Sequence, residues 1–199
     1  MATLAMLAFG ELTSFEQFAA DARIAPSVAD KVDLALAAGH SLDHYRALAG
    51  RITELGVDSV ERMRGVGATF AVFGERTQPG DWYESLMKGY VLDGIMKDFY
   101  RASLTNLDDT SERVATAALD DTRQAEFLRS RLERAIAENG GALSSRLALW
   151  GRRLVAEAMT RGRSILLSEI GAPEATVVAV TEKCLSNHSR RMSGLGLVA

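Results

Sequence analysis

Cysteine, proline and long apolar runs are scarce in this chain. Its one cysteine, Cys184, excludes a disulfide within the chain and is typical of a reducing compartment. Only three of its 199 residues are proline, so few positions interrupt helices. No apolar run reaches about 18 residues, the length of a membrane-spanning helix, and the first residues lack the basic start and cleavage pattern of a signal peptide. We therefore expect a cytoplasmic protein with no membrane partner.

Excess positive charge is also lacking. The net charge is −3, which does not favour nucleic acid as a partner, because phosphate binding needs a basic surface. Between Arg123 and Arg163, nine Arg stand against four Glu, and this region is either a solvated helix face or a docking surface for an acidic partner. No glycine-rich phosphate loop is present, so neither a nucleotide nor a flavin cofactor is implied.

Apolar residues recur at helical spacing along nearly the whole chain, which predicts an all-α protein. Capping pairs and glycine or proline breaks divide it into predicted helices at about 3–22, 27–55, 58–73, 81–104, 109–139, 142–170 and 174–191. We predict a single domain over 1–199. Its four-helix core covers about 3–139, and additional C-terminal helices cover about 142–191.

Four of these helices carry a polar residue on the face that is otherwise apolar. The residues are Glu11, His44, Asp93 and Asp121. Burying such groups costs free energy unless they are paired or bind a metal. Di-metal sites in four-helix bundles use one carboxylate from each of two helices and a Glu-x-x-His pair from each of the other two. The pattern therefore favours a carboxylate-rich site for one or two metal ions, or for none if the residues pair with one another.

Several segments resemble a known family. They are residues 7–12 (Leu-Ala-Phe-Gly-Glu-Leu), 44–45, 90–95 with 98–100, 121–122 with 125–127, and 147–154, and they extend over roughly the first 160 residues. The chain resembles the actinobacterial ferritin-like proteins related to the MiaE-type tRNA hydroxylases. The resemblance implies a ferritin-like four-helix bundle and, in better-equipped relatives, a di-iron centre that activates oxygen.

The family's ligand positions match this chain unevenly. By the resemblance, Glu11 and Asp93 match the single carboxylates, whereas His44 and Asp121 each match half of a Glu-x-x-His pair. If these carboxylates cluster in a core without metal, burial and mutual repulsion should raise their pKa values, so that at least one is protonated near neutral pH or is held by a cationic His44.

The other half of each pair is a poor ligand here. The carboxylate position of the first pair is Ser41, and the histidine position of the second is Gln124; neither neutral side chain offsets metal charge. His40, one turn before His44, is a weaker candidate ligand. The sequence therefore favours a non-catalytic or weakly metal-binding helical module, and the alternative is an oxygen-dependent di-iron hydroxylase-like enzyme. A homo-oligomer is left open.

Overall fold

The part of the chain that the structure describes forms seven α-helices. The computed structural model describes residues 2–103, 107–168 and 171–199, apart from the side chains of 65, 68–71 and 103. Within these residues there is no strand, so the all-α prediction is confirmed. The helices are α1 (Ala2–Ile24), α2 (Val28–Glu54), α3 (Ser59–Arg76), α4 (Trp82–Ser103), α5 (Asp109–Asp120), α6 (Arg123–Ser168) and α7 (Glu174–Gly194). Asn106, predicted in a loop, and Ile170, a predicted helix end, lie outside the described residues.

Side-chain caps determine where several helices begin. The Ser27 hydroxyl accepts a hydrogen bond from the backbone N–H of Asp30 at 3.1 Å, which caps α2 as predicted. Before α5, the cap is one residue earlier than predicted, because Asp108 accepts from two backbone N–H groups of the first turn. Arg51 of α2 also donates to the Asp108 carboxylate at 2.9 Å, so this cap ties α5 to α2.

The predicted helix over 109–139 is wrong in its middle. The structure ends α5 at Asp120, gives Asp121 an extended ψ of 114°, and begins α6 at Arg123. Asp121 therefore lies at a joint between two helices and not within one. Asp and Thr are poor helix formers and strong caps, so the run Asp120-Asp121-Thr122 carried the signal for this break.

The break predicted after residue 139 is present. Gly140 has φ of 66° and ψ of −155°, a conformation that residues with a Cβ rarely adopt. It interrupts α6 where the sequence predicted a helix end at Asn139-Gly140-Gly141, and helical backbone resumes immediately afterwards.

The chain divides into two compact units. Unit 1 comprises Met1–Val72 and Tyr100–Gln124. Its helices α1, α2 and α5 contact one another. The apolar side chains between these helices are almost fully buried. Each large aliphatic side chain among them contributes roughly 1.5–3 kcal/mol to folding stability. The buried residues include Leu4, Leu7, Leu34, Leu48, Ile52, Ala115 and Ala118.

Unit 2 comprises Phe73–Phe99 and Ala125–Ala199. The Trp150 indole of α6 donates to the carbonyl oxygen of Glu84 in α4 at 2.9 Å. Arg191 of α7 donates to the Asp98 carboxylate of α4, also at 2.9 Å. The prediction of a single domain stays a prediction. In the described part of the chain, no helix has the length and apolar character needed to cross a membrane.

A charge network at the candidate metal position

Three of the four predicted site residues lie together in unit 1. The His44 ring on α2 lies between two carboxylates: Nδ1 is 3.6 Å from Oε2 of Glu11 on α1, and Nε2 is 3.2 Å from Oδ2 of Asp121. The three side chains are largely buried, with exposed fractions of 17% or less. Glu11 and His44 are polar residues on otherwise apolar helix faces, whereas Asp121 reaches the ring from the joint between α5 and α6. Their role as metal ligands stays a prediction.

The carboxylates raise the pKa of His44. The approach of Glu11 to the ring has the largest effect, and burial opposes it; the charges of Glu11 and Asp121 add to the increase, whereas Arg123 reduces it. The ring is thus held towards its cationic form, in which both nitrogens carry protons and can donate. As an imidazolium, His44 offers no lone pair to a metal.

Arg123 was not predicted as a site residue, yet it dominates the surroundings of Asp121. Its guanidinium donates to both carboxylate oxygens, with Nε 3.0 Å from Oδ1 and Nη2 2.5 Å from Oδ2. Its backbone N–H donates to Oδ1 at 3.0 Å, so Asp121 also caps the start of α6. These bonds lower the pKa of Asp121, chiefly through the guanidinium. The expected rise in carboxyl pKa is therefore wrong for Asp121, because an arginine neutralises it.

His40 is also engaged by Arg123. Its Nε2 lies 2.9 Å from Nη1 of the guanidinium. Since arginine can only donate, Nε2 of His40 must accept and cannot carry the proton. The lone pair that a metal would need at this nitrogen is already used, which disfavours His40 as a ligand through Nε2.

The two substituted ligand positions bond to each other. Gln124, at the start of α6, donates from Nε2 to the hydroxyl oxygen of Ser41 at 2.7 Å and to the carbonyl oxygen of Ala37 at 3.0 Å. Both side chains are buried. The pair is neutral and hydrogen-bonded, so it is stable in the core without a cation. The spacing of Asp121 and Gln124, taken as two ligands on one helix face, also matches a capping box.

Tyr100 closes the Glu11 side of the network. Its hydroxyl donates to the carbonyl oxygen of Met6 at 2.9 Å, within the core of unit 1. Burial, and secondarily the charge of Glu11, raises the pKa of this phenol. Gly10 permits the approach, because a Cβ built there would lie 2.8 Å from the Tyr100 hydroxyl. The resemblance segments contained both residues, but neither was predicted to belong to the site.

Asp93, the fourth predicted ligand, belongs to unit 2. Its carboxylate forms an ion pair with Lys97, one turn later on α4, at 2.9 Å. Both side chains are about 15% exposed, so the pair is partly shielded from solvent. That Asp93 joins Glu11, His44 and Asp121 stays a prediction.

A small groove opens beside His44, between α2 and α5. Its volume is about 240 Å³. Most of the lining is formed by the apolar side chains of Ala47, Val114, Ala117 and Ala118. The polar groups are those of Thr110, Arg113 and the His44 ring. A mostly apolar recess with a few polar groups is the usual form of a small-molecule site.

The donors of this network do not fit a complete di-iron centre. Among the residues that the structure describes, no group of three or more His, Cys, Asp or Glu side chains has the geometry to hold a metal ion. A guanidinium binds the Asp121 carboxylate, and positions 41 and 124 offer neutral groups that are bonded to each other. A second cation at Asp121 would face the repulsion of Arg123.

Comparison with known proteins identifies the family. The model of a family described as "Ferritin-like domain, actinomycetes" matches residues 1–171. The chain belongs to this ferritin-like family. The family part of the predicted resemblance is thereby confirmed, and so is the ferritin-like fold.

A solved structure supports the ferritin-like fold. It is described as "Protein 19 with aldehyde deformylating oxidase activity from Synechococcus", and it matches with a TM-score of 0.71 and 18% sequence identity. The match covers 98% of this ferritin-like chain and 88% of the other. At this identity the similarity shows the fold alone. No curated protein sequence matches the chain.

Proposed function

We propose that this ferritin-like chain is a non-catalytic binding module that holds iron weakly or not at all. The observation that carries the proposal is the double contact of Arg123 with both oxygens of the Asp121 carboxylate. A protein cation thus takes the place that a metal cation would need.

The charges of the network support this proposal. Two carboxylates, Glu11 and Asp121, face two cationic groups, the guanidinium of Arg123 and the His44 ring when protonated. These formal charges cancel, so burial of the cluster does not require a metal to offset them. A di-iron site has the opposite requirement, because several uncompensated carboxylates must be available to neutralise its two cations.

The groove beside His44 is the place where such a module would bind a small ligand. Its alanine and valine walls suit an apolar body, and its volume of about 240 Å³ is below the roughly 300–1,000 Å³ of ordinary ligand pockets, so the ligand would be very small. Ala117→Phe would fill the groove and abolish stabilisation by ligands found in a thermal-shift screen. Ala102→Phe, at an exposed alanine outside the groove, is the matched control.

The second candidate is an oxygen-dependent di-iron enzyme of the MiaE-related hydroxylase type. It is favoured by the meeting of Glu11, His44 and Asp121 in unit 1. The aldehyde deformylating oxidase activity named for the similar Synechococcus protein also favours oxygen chemistry. This chain's acidic net charge does not favour tRNA as its substrate.

Metal analysis separates the two candidates. Protein purified without chelator, and again after anaerobic addition of Fe(II), should hold far less than the two irons per chain that a complete carboxylate site takes. Ser41→Glu with Gln124→His should raise the iron content, because the pair restores one carboxylate and one imidazole. About two irons per wild-type chain would instead support the enzyme.

Arg123 gives a second, sharper comparison. Arg123→Gln removes the guanidinium from Asp121 and should raise Fe(II) affinity above that of the wild type. Arg46→Gln is the matched control, because Arg46 pairs with a neighbouring carboxylate, Asp43, on the exposed surface of α2. Equal iron binding by wild type and Arg123→Gln would show that the guanidinium does not exclude the metal.

A further inference from the structure

Helix α2 is apolar on two opposite faces. Its inner face, which includes Leu34 and Leu48, is fully buried in unit 1. On its outer face, Val28, Val32 and Leu36 are exposed by 79%, 50% and 58%. A contiguous patch of exposed apolar side chains marks an interaction surface, so the outer face calls for a partner.

These exposed side chains form a continuous outer stripe. Val28, Val32 and Leu36 follow one another at intervals of four residues and therefore make one ridge along the helix. Ile24, 56% exposed at the end of α1, extends it. Exposed small residues lie beside the ridge and leave a shallow groove next to it: Ala29, Ala35 and Gly39. Ridge and groove lie on the same face, as packing between two copies of one helix requires.

The charges around the outer stripe exclude some partners. No charged residue lies on it between Val28 and Gly39, and beyond it Asp43 and Arg46 pair with each other at 3.2 Å. A membrane or a nucleic acid would need a cluster of basic side chains on its flanks. The part of α2 alongside the stripe has one lysine, Lys31. An apolar protein helix is the partner that suits this surface.

One flank of the outer stripe is complementary to itself. Asp33 and His40, seven residues apart, lie on the same side of α2, and exposed Arg123 contacts His40. In a two-fold antiparallel pair of helices, each flank faces the same flank of the other copy. Asp33 of one copy then lies opposite His40 and Arg123 of the other when the axis passes near Leu36, within the stripe.

We propose that the outer stripe is the interface of a two-fold dimer, in which α2 packs antiparallel against α2 of a second copy around Leu36. The four large side chains expose about 400 Å² per copy, and with the small residues and flanks the total buried area reaches about 1,000 Å². This is near the lower limit for a specific interface, so we expect a weak, reversible dimer. The interface is independent of the proposed function.

Sedimentation equilibrium of the full chain from about 1 to 300 μM tests the dimer. Leu36→Arg should shift the equilibrium towards monomer and raise the dissociation constant of the dimer at least tenfold. The matched control is Leu149→Arg, since Leu149 is 63% exposed on α6 and should not affect association. Far-ultraviolet circular dichroism checks that both variants are folded. A wild-type monomer throughout the range would overturn the proposal, as would a dimer that Leu36→Arg leaves intact.

Cross-linking tests the position of the axis. A residue near a two-fold axis lies close to its own copy, so Leu36→Cys should form a disulfide-linked dimer under mild oxidation. Leu149→Cys should not. Cys184, the chain's own cysteine, is buried and should not interfere. Absence of the Leu36→Cys cross-link in a sample that sediments as dimer would overturn the two-fold arrangement. A monomer that binds phospholipid vesicles through the stripe would assign it to a membrane instead.

Discussion

His188 on α7 should make the protein sensitive to mild acid. Its side chain is 2% exposed, and neither ring nitrogen has a hydrogen-bond partner among the described residues. Burial, reinforced by the charge of Arg191, lowers the pKa of His188 to about 4. The native protein therefore holds this histidine neutral, whereas the unfolded chain protonates it below about pH 6.5.

The sign and size of the effect follow from this difference. Below about pH 6.5 the unfolded state binds one proton more than the native state, so the free energy of unfolding falls as pH falls. The stabilisation that comes from keeping His188 neutral is complete above the unfolded pKa of about 6.5. It is lost progressively as pH falls to the folded pKa of about 4. A gap of about two and a half pKa units corresponds to roughly 3 kcal/mol. That is a large part of the 5–15 kcal/mol typical of a domain.

His188→Leu tests the reasoning. The variant removes the titrating group and the two unsatisfied nitrogens, so it should be at least as stable as the wild type at pH 7.5. Urea unfolding of both proteins between pH 4 and 7.5 gives a difference curve in which titrations common to both cancel. The variant should gain roughly 2–3 kcal/mol over the wild type as pH falls from 6.5 to 4.5. A flat difference curve would refute the assignment of a neutral, unpartnered His188.

Three further predictions concern unit 1 and the helix packing. His44→Gln removes a base whose folded pKa is raised. The stabilisation by wild-type His44 is full below about pH 6.5 and is lost as pH rises through the folded pKa. The variant's deficit in the free energy of unfolding, measured in urea, should therefore shrink as pH rises. Gly162→Ala places a Cβ against the ring of Phe99, closer than the two groups can approach, and should lower stability by roughly 1–3 kcal/mol, seen as a lower thermal midpoint. Gly50→Ala meets no atom within 4 Å in a helix interior and should raise stability by about 0.5–1 kcal/mol in the same assay.

Helix positions could be predicted where local chemistry determines them. Ser27 caps α2 through its own hydroxyl, and Gly140 breaks α6 because it tolerates positive φ. The joint at Asp121 was missed because its apolar neighbours continue the helical period across the break. A periodic pattern shows which face is buried but does not show that the backbone stays helical.

The candidate site was predictable in part for a related reason. Glu11 and His44 are polar residues on apolar faces, and such residues need partners. Arg123 could not be predicted from the sequence, because it lies in a stretch of many arginines and only the folded backbone at the joint selects it. The unpartnered state of the His188 ring likewise depends on which helices enclose α7. The sequence spacing between Cys184 and His188 does not show which helices these are.

The double role of Asp121 links the chemistry of the network to the path of the backbone. One carboxylate holds the His44 ring and also accepts from the N–H that starts α6. A glutamate there would keep the charge, but its extra methylene would misplace the oxygens for that N–H, since short side chains cap best. Asparagine would keep the bond to the N–H, because it caps as well as aspartate, but it would lose the charge that faces the His44 ring. A substitution that spares the charge network can therefore disturb the start of α6, and one that spares the start of α6 can remove the charge.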